Sequence, residues 1–142
     1  MPRWLGIDLG EKRVGIAISD PDGFLASARE VCELKNPNEA LNRVTEIFRA
    51  SGATGVVVGL PLNMDGSRGP AAQKATQFAE DLKTRLNVPV KLWDERLTTK
   101  TAHDVMIQGG ARREKRRVTV DKLAAQLMLQ SFLDAHTALP PL

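Results

Sequence analysis

Asp8, Glu95 and Asp121 are carboxylates in places where packing alone does not call for one. Asp8 interrupts the apolar run Trp4-Leu5-Gly6-Ile7-Asp8-Leu9-Gly10, which otherwise reads as a buried strand. Glu95 closes a second such run, Val90-Lys91-Leu92-Trp93-Asp94-Glu95. Asp121 shares a helical face with Ala124, Ala125, Met128 and Phe132, at offsets of three, four, seven and eleven residues. Burying a charge whose partner is missing costs about 3–5 kcal/mol. Three such residues along one chain are best explained if they converge on a shared cation, which makes a metal site. Mg2+ or Mn2+ suits it, because a hard cation takes oxygen ligands and keeps several waters, so a few carboxylates plus a substrate phosphate suffice. Each carboxylate also has a plain reading. Asp8 could cap a turn at a strand end, Glu95 could pair with Arg96 or Arg13, and Asp121 could cap a helix near Thr119.

Positive charge is concentrated just before Asp121. Residues 109–122 hold six basic side chains (Arg112, Arg113, Lys115, Arg116, Arg117 and Lys122) and two acidic ones, so all of the net +3 of the chain comes from this segment. Such a cluster is an electrostatic handle for phosphates, or else a solvated loop with no partner. Beside a carboxylate centre the nucleic-acid reading gains weight, since a polyanion must be held against acidic groups.

Other candidates surround these motifs. Asn63-Met64-Asp65-Gly66-Ser67-Arg68-Gly69 reads as a flexible loop before a helix N-terminus, either a phosphate seat or a plain connection. Arg13, Arg96, Asn63 and Arg68 are placed to meet substrate; Arg13 and Arg96 could equally hold the carboxylates. Asp94 reads as a support for the site rather than a ligand. His103 and His136 stand alone, without metal-ligand spacing, and read as surface or capping groups. Trp4 and Trp93 read as packing residues, and the absence of tyrosine argues against a base-stacking platform.

Hydrophobic periodicity indicates what must position these groups. Residues 4–9 and 13–19 are apolar runs joined by Gly10-Glu11-Lys12, an antiparallel hairpin, and 24–33 makes a third strand after Pro21-Asp22-Gly23. Asn36, Pro37 and Glu39 have the spacing of a helix start, Ala40, Leu41, Val44, Ile47 and Phe48 repeat at helical spacing, and Gly52 ends the helix. Val56-Val57-Val58-Gly59 is apolar throughout, which predicts a central strand covered on both faces. A helix over about 70–86, a strand over 89–94 and helices over 98–108 and 119–136 follow, with Pro140-Pro141 ending the fold. This order predicts an α/β layer structure with a mixed sheet, in which Asp8 and Glu95 reach the carboxyl ends of neighbouring parallel strands.

At 142 residues, 42% hydrophobic and 26% charged, the chain suits one soluble domain over 1–142, without internal repeat or linker. No apolar stretch approaches the roughly 20 residues that cross a bilayer, so no membrane partner is expected. The single cysteine, Cys32, excludes an internal disulfide, reads as a small buried hydrophobe and fits a reducing, cytoplasmic setting.

Four motifs in order resemble the YqgF-type nucleases: Gly6-Ile7-Asp8-Leu9-Gly10 with Arg13-Val14-Gly15-Ile16-Ala17 and Ser19-Asp20; Val58-Gly59-Leu60-Pro61-Leu62-Asn63-Met64-Asp65-Gly66-Ser67; Asp94-Glu95-Arg96-Leu97-Thr98-Thr99; and Val120-Asp121 with Ala124-Ala125 and Leu129-Gln130. The resemblance implies an RNase H-like domain, a mixed five-stranded sheet flanked by helices, related to Holliday junction resolvases. It implies a metal-dependent nuclease that trims the 5′ end of the small-subunit (16S) rRNA precursor in ribosome biogenesis. Asp8, Glu95 and Asp121 would be its acidic triad, with Asp8 bridging two ions and the other two each completing one side. Products would be a 5′-phosphate and a 3′-hydroxyl. Arg68 departs from the family pattern, where an acidic residue is common, and the last helix carries one acid near its start where junction resolvases often have two.

Three alternatives stay open from the residues. One is a resolvase acting on branched DNA, which calls for a homodimer to make paired cuts, whereas an rRNA nuclease can be a monomer. Another is a ribosome-associated RNA-binding factor with a vestigial acidic centre. The third is a nucleotide-binding ATPase of the actin type, disfavoured because those proteins need two such domains and this chain has no Walker-type loop.

Overall fold

In the computed structural model the backbone is described for residues 3–33, 36–97 and 113–136, and side chains for the same residues except 97 and 113–122. The helix expected over 98–108, with His103, and the terminal Pro140-Pro141 lie outside the described residues, as does Arg112.

Two short apolar runs set up the first hairpin, β1 (Trp4–Leu9) and β2 (Arg13–Ser19), which pair antiparallel. A turn then leads to β3 (Ala26–Glu33), antiparallel to β2. Asp20 shapes that turn, its Oδ1 accepting from the backbone N–H groups of Phe24 (2.7 Å) and Leu25 (3.1 Å). Helix α1 (Pro37–Ser51) starts where Asn36 Oδ1 accepts from Glu39 N at 2.9 Å, satisfying one of the free donors of the first turn. It ends at Gly52, whose φ of 76° lies in the left-handed region that favours glycine. Strand β4 (Gly55–Leu60), helix α2 (Pro70–Leu86) and strand β5 (Val90–Asp94) follow, then a single 3-10 turn over Glu95–Leu97 and helix α3 (Arg113–His136).

Among the described residues the strands form one five-stranded sheet in the order β3-β2-β1-β4-β5, with β1, β4 and β5 parallel. The expected mixed sheet is therefore present, with β1 at its centre and β4 an interior strand between β1 and β5, every residue of it buried. One face packs against α1 and α2, joining Leu5, Ile7, Val14, Ile16, Val56 and Val58 to Leu41, Val44, Phe78 and Leu82. The other packs against α3 through Ala17, Ala26, Val57, Ala125, Met128, Leu129, Phe132 and Leu133, with Trp4 and Trp93 at its margin. Both tryptophans meet Phe132 edge-on, with ring centroids 5.0 and 5.6 Å apart, so they are packing residues as expected.

Two details differ from the sequence reading. Helix α3 already runs from Arg113 rather than from near 119, so the basic residues from Arg113 onward lie on helical backbone and not in a loop. Arginine and lysine are good helix formers, and the charges that suggested a solvated loop do not oppose a helix. Cys32 is half-buried rather than buried, because it lies near the end of edge strand β3, and its thiol donates to Glu30 Oε2 at 3.0 Å. Burial and the neighbouring Glu30 carboxylate push that thiol up to about 11.

Candidate active site: a carboxyl pair over a glycine floor

The site lies on the α3 face, at the carboxyl ends of β1, β4 and β5. Side chains alternate along a strand, so Trp4, Gly6 and Asp8 share this face on β1, and Arg13, Gly15, Ala17 and Ser19 share it on β2. Asp8 faces Gly15 across the β1–β2 ladder. On its other side the parallel register runs to Ile7↔Val58, and the next residues along are Asp8 and Gly59. Asp8 thus stands between two strands that put glycines at its level, where longer side chains would crowd it.

Glu95 is the first residue beyond β5. Gly59 pairs with Trp93, so the turn after Asp94 carries Glu95 back over the end of β4. Its side chain crosses Gly59 closely: a Cβ at residue 59 would lie 2.9 Å from Glu95 Cγ and 2.8 Å from Cδ. There the Glu95 carboxyl hydrogen-bonds Asp8. Burial pushes Glu95 up to about 10, and the hydrogen bond to Asp8 and the charges of Asp8 and Asp94 push the same way. Two carboxylates this close do not both ionise on their own. Burial and the neighbouring carboxylate thus favour the protonated form of Glu95.

Arg96 does not pair with Glu95. Its guanidinium is taken by Asp94, with Nη2–Oδ2 at 2.7 Å and Nε within 3.1 Å of both carboxylate oxygens. Asp94 also accepts from Arg96 N at 2.9 Å, and these bonds hold its carboxyl below the usual range. The Asp94–Arg96 pair clasps the turn that carries Glu95, and Arg96 Nη1 reaches Met64 O at 3.4 Å. The Asp94 carboxylate is thus engaged by Arg96.

The 63–69 segment is a braced turn rather than a flexible loop. Asn63 N donates to Ser67 O (2.9 Å) and Gly66 N to Asn63 O (2.8 Å), with Gly66 at a φ of 86°. Asp65 Oδ1 accepts from Ser67 N (2.9 Å) and Ser67 Oγ (2.6 Å), and Asn63 Nδ2 donates to Ser67 Oγ (2.9 Å). The Asn63 amide is thus bonded within the turn. Arg68 Nη1 donates to Thr76 Oγ1 at 3.3 Å on the exposed first turns of α2. Met64 stands at the tip, 91% exposed.

Arg13 opens β2, half-buried and on the Asp8 face. Asp121, Arg113, Lys115, Arg116 and Arg117 lie on the α3 backbone, with side chains outside the described residues. Among the described residues no three His, Cys, Asp or Glu side chains gather as a metal site; Asp8 and Glu95 are the pair that does converge. His136 packs on Phe132, ring centroids 4.1 Å apart, with Nδ1 at 2.8 Å from Phe132 O.

Sequence reasoning gave no structural role to Gly15 and Gly59 beside Asp8, nor to Gln126 and Gln130 on α3. Gln126 Nε2 donates to Ala26 O (3.2 Å), while Gln130 Oε1 accepts from Ala26 N (2.8 Å) and its Nε2 donates to Phe24 O (2.8 Å). These bonds pin α3 to the start of β3. A polar residue on each side of a buried helical stripe was the available signal.

A family model described as RuvX, Holliday junction resolvase, matches residues 2–135. A protein of Pelotomaculum thermopropionicum named "Putative pre-16S rRNA nuclease" is 48% identical over 94% of this chain and 88% of its own length. One of the same name from Symbiobacterium thermophilum is 43% identical, covering 96% of this chain and 94% of its own. Among solved structures, T. thermophilus RuvC in complex with a Holliday junction substrate superposes with a TM-score of 0.59 at 16% identity, over 97% of both chains. The fowlpox virus Holliday junction resolvase gives 0.57 at 15%, over 94% of this chain and 99% of that one. At such identities the structural likeness speaks to the fold.

Proposed function

This chain belongs to the RuvX family, and from that membership we propose that it is a metal-dependent nuclease acting on the precursor of the small-subunit rRNA in the cytoplasm. The substrate reading is supported by the shared name of its relatives at 43–48% identity. The chemistry is supported above all by one observation, the Asp8–Glu95 carboxyl pair at the strand ends.

The donor chemistry fits a hard divalent cation. Both groups offer oxygens, and they are close enough to share a proton that a cation could replace. Asp8 and Glu95 would hold Mg2+ or Mn2+, with Asp121 of α3 as the third carboxylate. When bound, such an ion supplies a Lewis acid that activates water and offsets charge on the phosphate. Glu95 must release the proton it shares with Asp8 before both carboxylates can serve as ligands. The Asp94–Arg96 clasp fixes the turn that carries Glu95. The basic first turns of α3, with Arg113, Lys115, Arg116 and Arg117, would gather the polyanion near Asp121, and Arg13 would meet it from the Asp8 face.

The test offers the protein a 5′-extended small-subunit rRNA precursor and a four-way DNA junction side by side, with Mn2+ or Mg2+. Cleavage of the RNA that is lost with a chelator and in Asp8→Asn supports the proposal. Paired cuts in the junction would move the substrate to branched DNA, and binding without cleavage of either would make the chain a binding factor.

A further inference from the structure

Gly59 has no conformational reason to be glycine. It lies near the carboxyl end of β4, a buried strand between the parallel strands β1 and β5, and it is not among the residues with positive φ, unlike Gly52 and Gly66. Glycine weakens a strand interior, so its presence there marks a close approach. The three atoms nearest to a Cβ at residue 59 all belong to Glu95: Oε1, then Cδ at 2.8 Å and Cγ at 2.9 Å. Real Cβ atoms do not approach others so closely, so one partner has to move. The β4 backbone is held by β1 on one side and by β5, through Gly59↔Trp93, on the other. The side chain of Glu95, not held in a ladder, is the softer partner and has to yield. Gly6 offers a contrast on the same face, because its Cβ would meet Leu129 Cβ at 2.9 Å, an apolar residue of α3. One glycine admits a helix and the other admits a carboxyl group.

We propose that Gly59 is a positioning residue: its missing side chain lets the Glu95 carboxyl lie across β4 and reach Asp8. The consequence for metal binding and cleavage rests on the nuclease reading above; the placement of Glu95 does not. A methyl group at 59 lifts the carboxyl off the strand and breaks its bond to Asp8. The site then loses a ligand without losing any acidic residue.

The experiment compares Gly59→Ala, Glu95→Ala and the double variant by thermal unfolding and by calorimetric binding of Mn2+ alone. Gly59→Ala should lower the unfolding midpoint by about 5 °C when Glu95 is present, and leave it nearly unchanged in the Glu95→Ala background. Mn2+ affinity should fall about tenfold or more in Gly59→Ala, as in Glu95→Ala, with no further loss in the double variant. If Gly59→Ala does not fold but the double variant does, the proposal stands, since removing Glu95 removes the clash. An equal loss of midpoint in both backgrounds would overturn it, as would Mn2+ binding by Gly59→Ala at the wild-type level. If the wild-type protein binds no Mn2+ and cuts nothing, the metal-nuclease reading fails, and the unfolding comparison still decides the role of Gly59.

Discussion

The two faces of the sheet use the same strands for opposite ends. Under α1 and α2, residues such as Leu5, Ile7, Val14, Ile16, Val56 and Val58 fill the space with branched side chains. Under α3 the alternate positions on β1, β2 and β4 include Gly6, Asp8, Gly15, Ala17, Gly55, Val57 and Gly59. Large residues reach that core from the helix and from the flanks, as Leu129, Phe132 and Trp93 do. Small residues let a helix come near and leave room for carboxyl groups at the strand ends. One face holds the sheet together, and the other is hollowed out around the carboxyl pair.

Asp8→Asn should break this contrast most sharply. It keeps the shape of the α3 face yet removes the charge, so cleavage should fall by roughly three orders of magnitude without a lower thermal midpoint, by rate assay and unfolding in parallel. Leu5→Ala, on the packed face, should do the reverse. Leu5 is fully buried, and truncation should cost about 2–5 kcal/mol in a denaturant titration while the folded fraction cleaves normally. Gly6→Ala tests whether the small residues matter for packing alone. Its methyl would press on Leu129 Cβ, costing about 1–3 kcal/mol, and Leu129→Ala in the same chain should recover part of that loss.

The smallest effect is a slope rather than a loss. Glu95 is raised from an ordinary 4.5 to about 10 by burial and by Asp8. Between those values the folded metal-free protein binds more protons than the unfolded chain, so stability should decline as pH rises. Unfolding midpoints from pH 5 to pH 9 in chelator should show that decline, and Glu95→Gln should flatten it. Mn2+ affinity should rise over the same range, because binding displaces the proton.

The sheet was legible in the sequence because its strands are short apolar runs separated by glycine, proline and aspartate, and the ends of α1 were written in Asn36, Pro37 and Gly52. The shared edge of Asp8 and Glu95 followed from topology, since parallel strands end on one side, but their strands are not neighbours as expected: β4 lies between β1 and β5, and the turn after Asp94 carries Glu95 back across it. The role of Gly59 was not legible, because it depends on a side chain 36 positions later whose direction is set by a turn. The start of α3 was missed because a run of like charges suits a solvated helix as well as a loop. The bracing of 63–69 was written as Asn-x-Asp-Gly-Ser, but only geometry shows that the polar groups turn inward on each other.

The glutamine bonds that pin α3 to β3 join residues 100 to 106 positions apart. Every strand of the sheet is complete by Asp94, whereas the cover over Gly6, Ala17 and Val57 comes from residues after 124. A chain still being synthesised can therefore finish one core while the other face waits bare. Contacts of such long sequence separation form late and leave apolar surface exposed in the meantime. Chains cut short before Ala125 should consequently aggregate although they contain all five described strands. In the order of folding, the face that carries the carboxyl pair is the last to close.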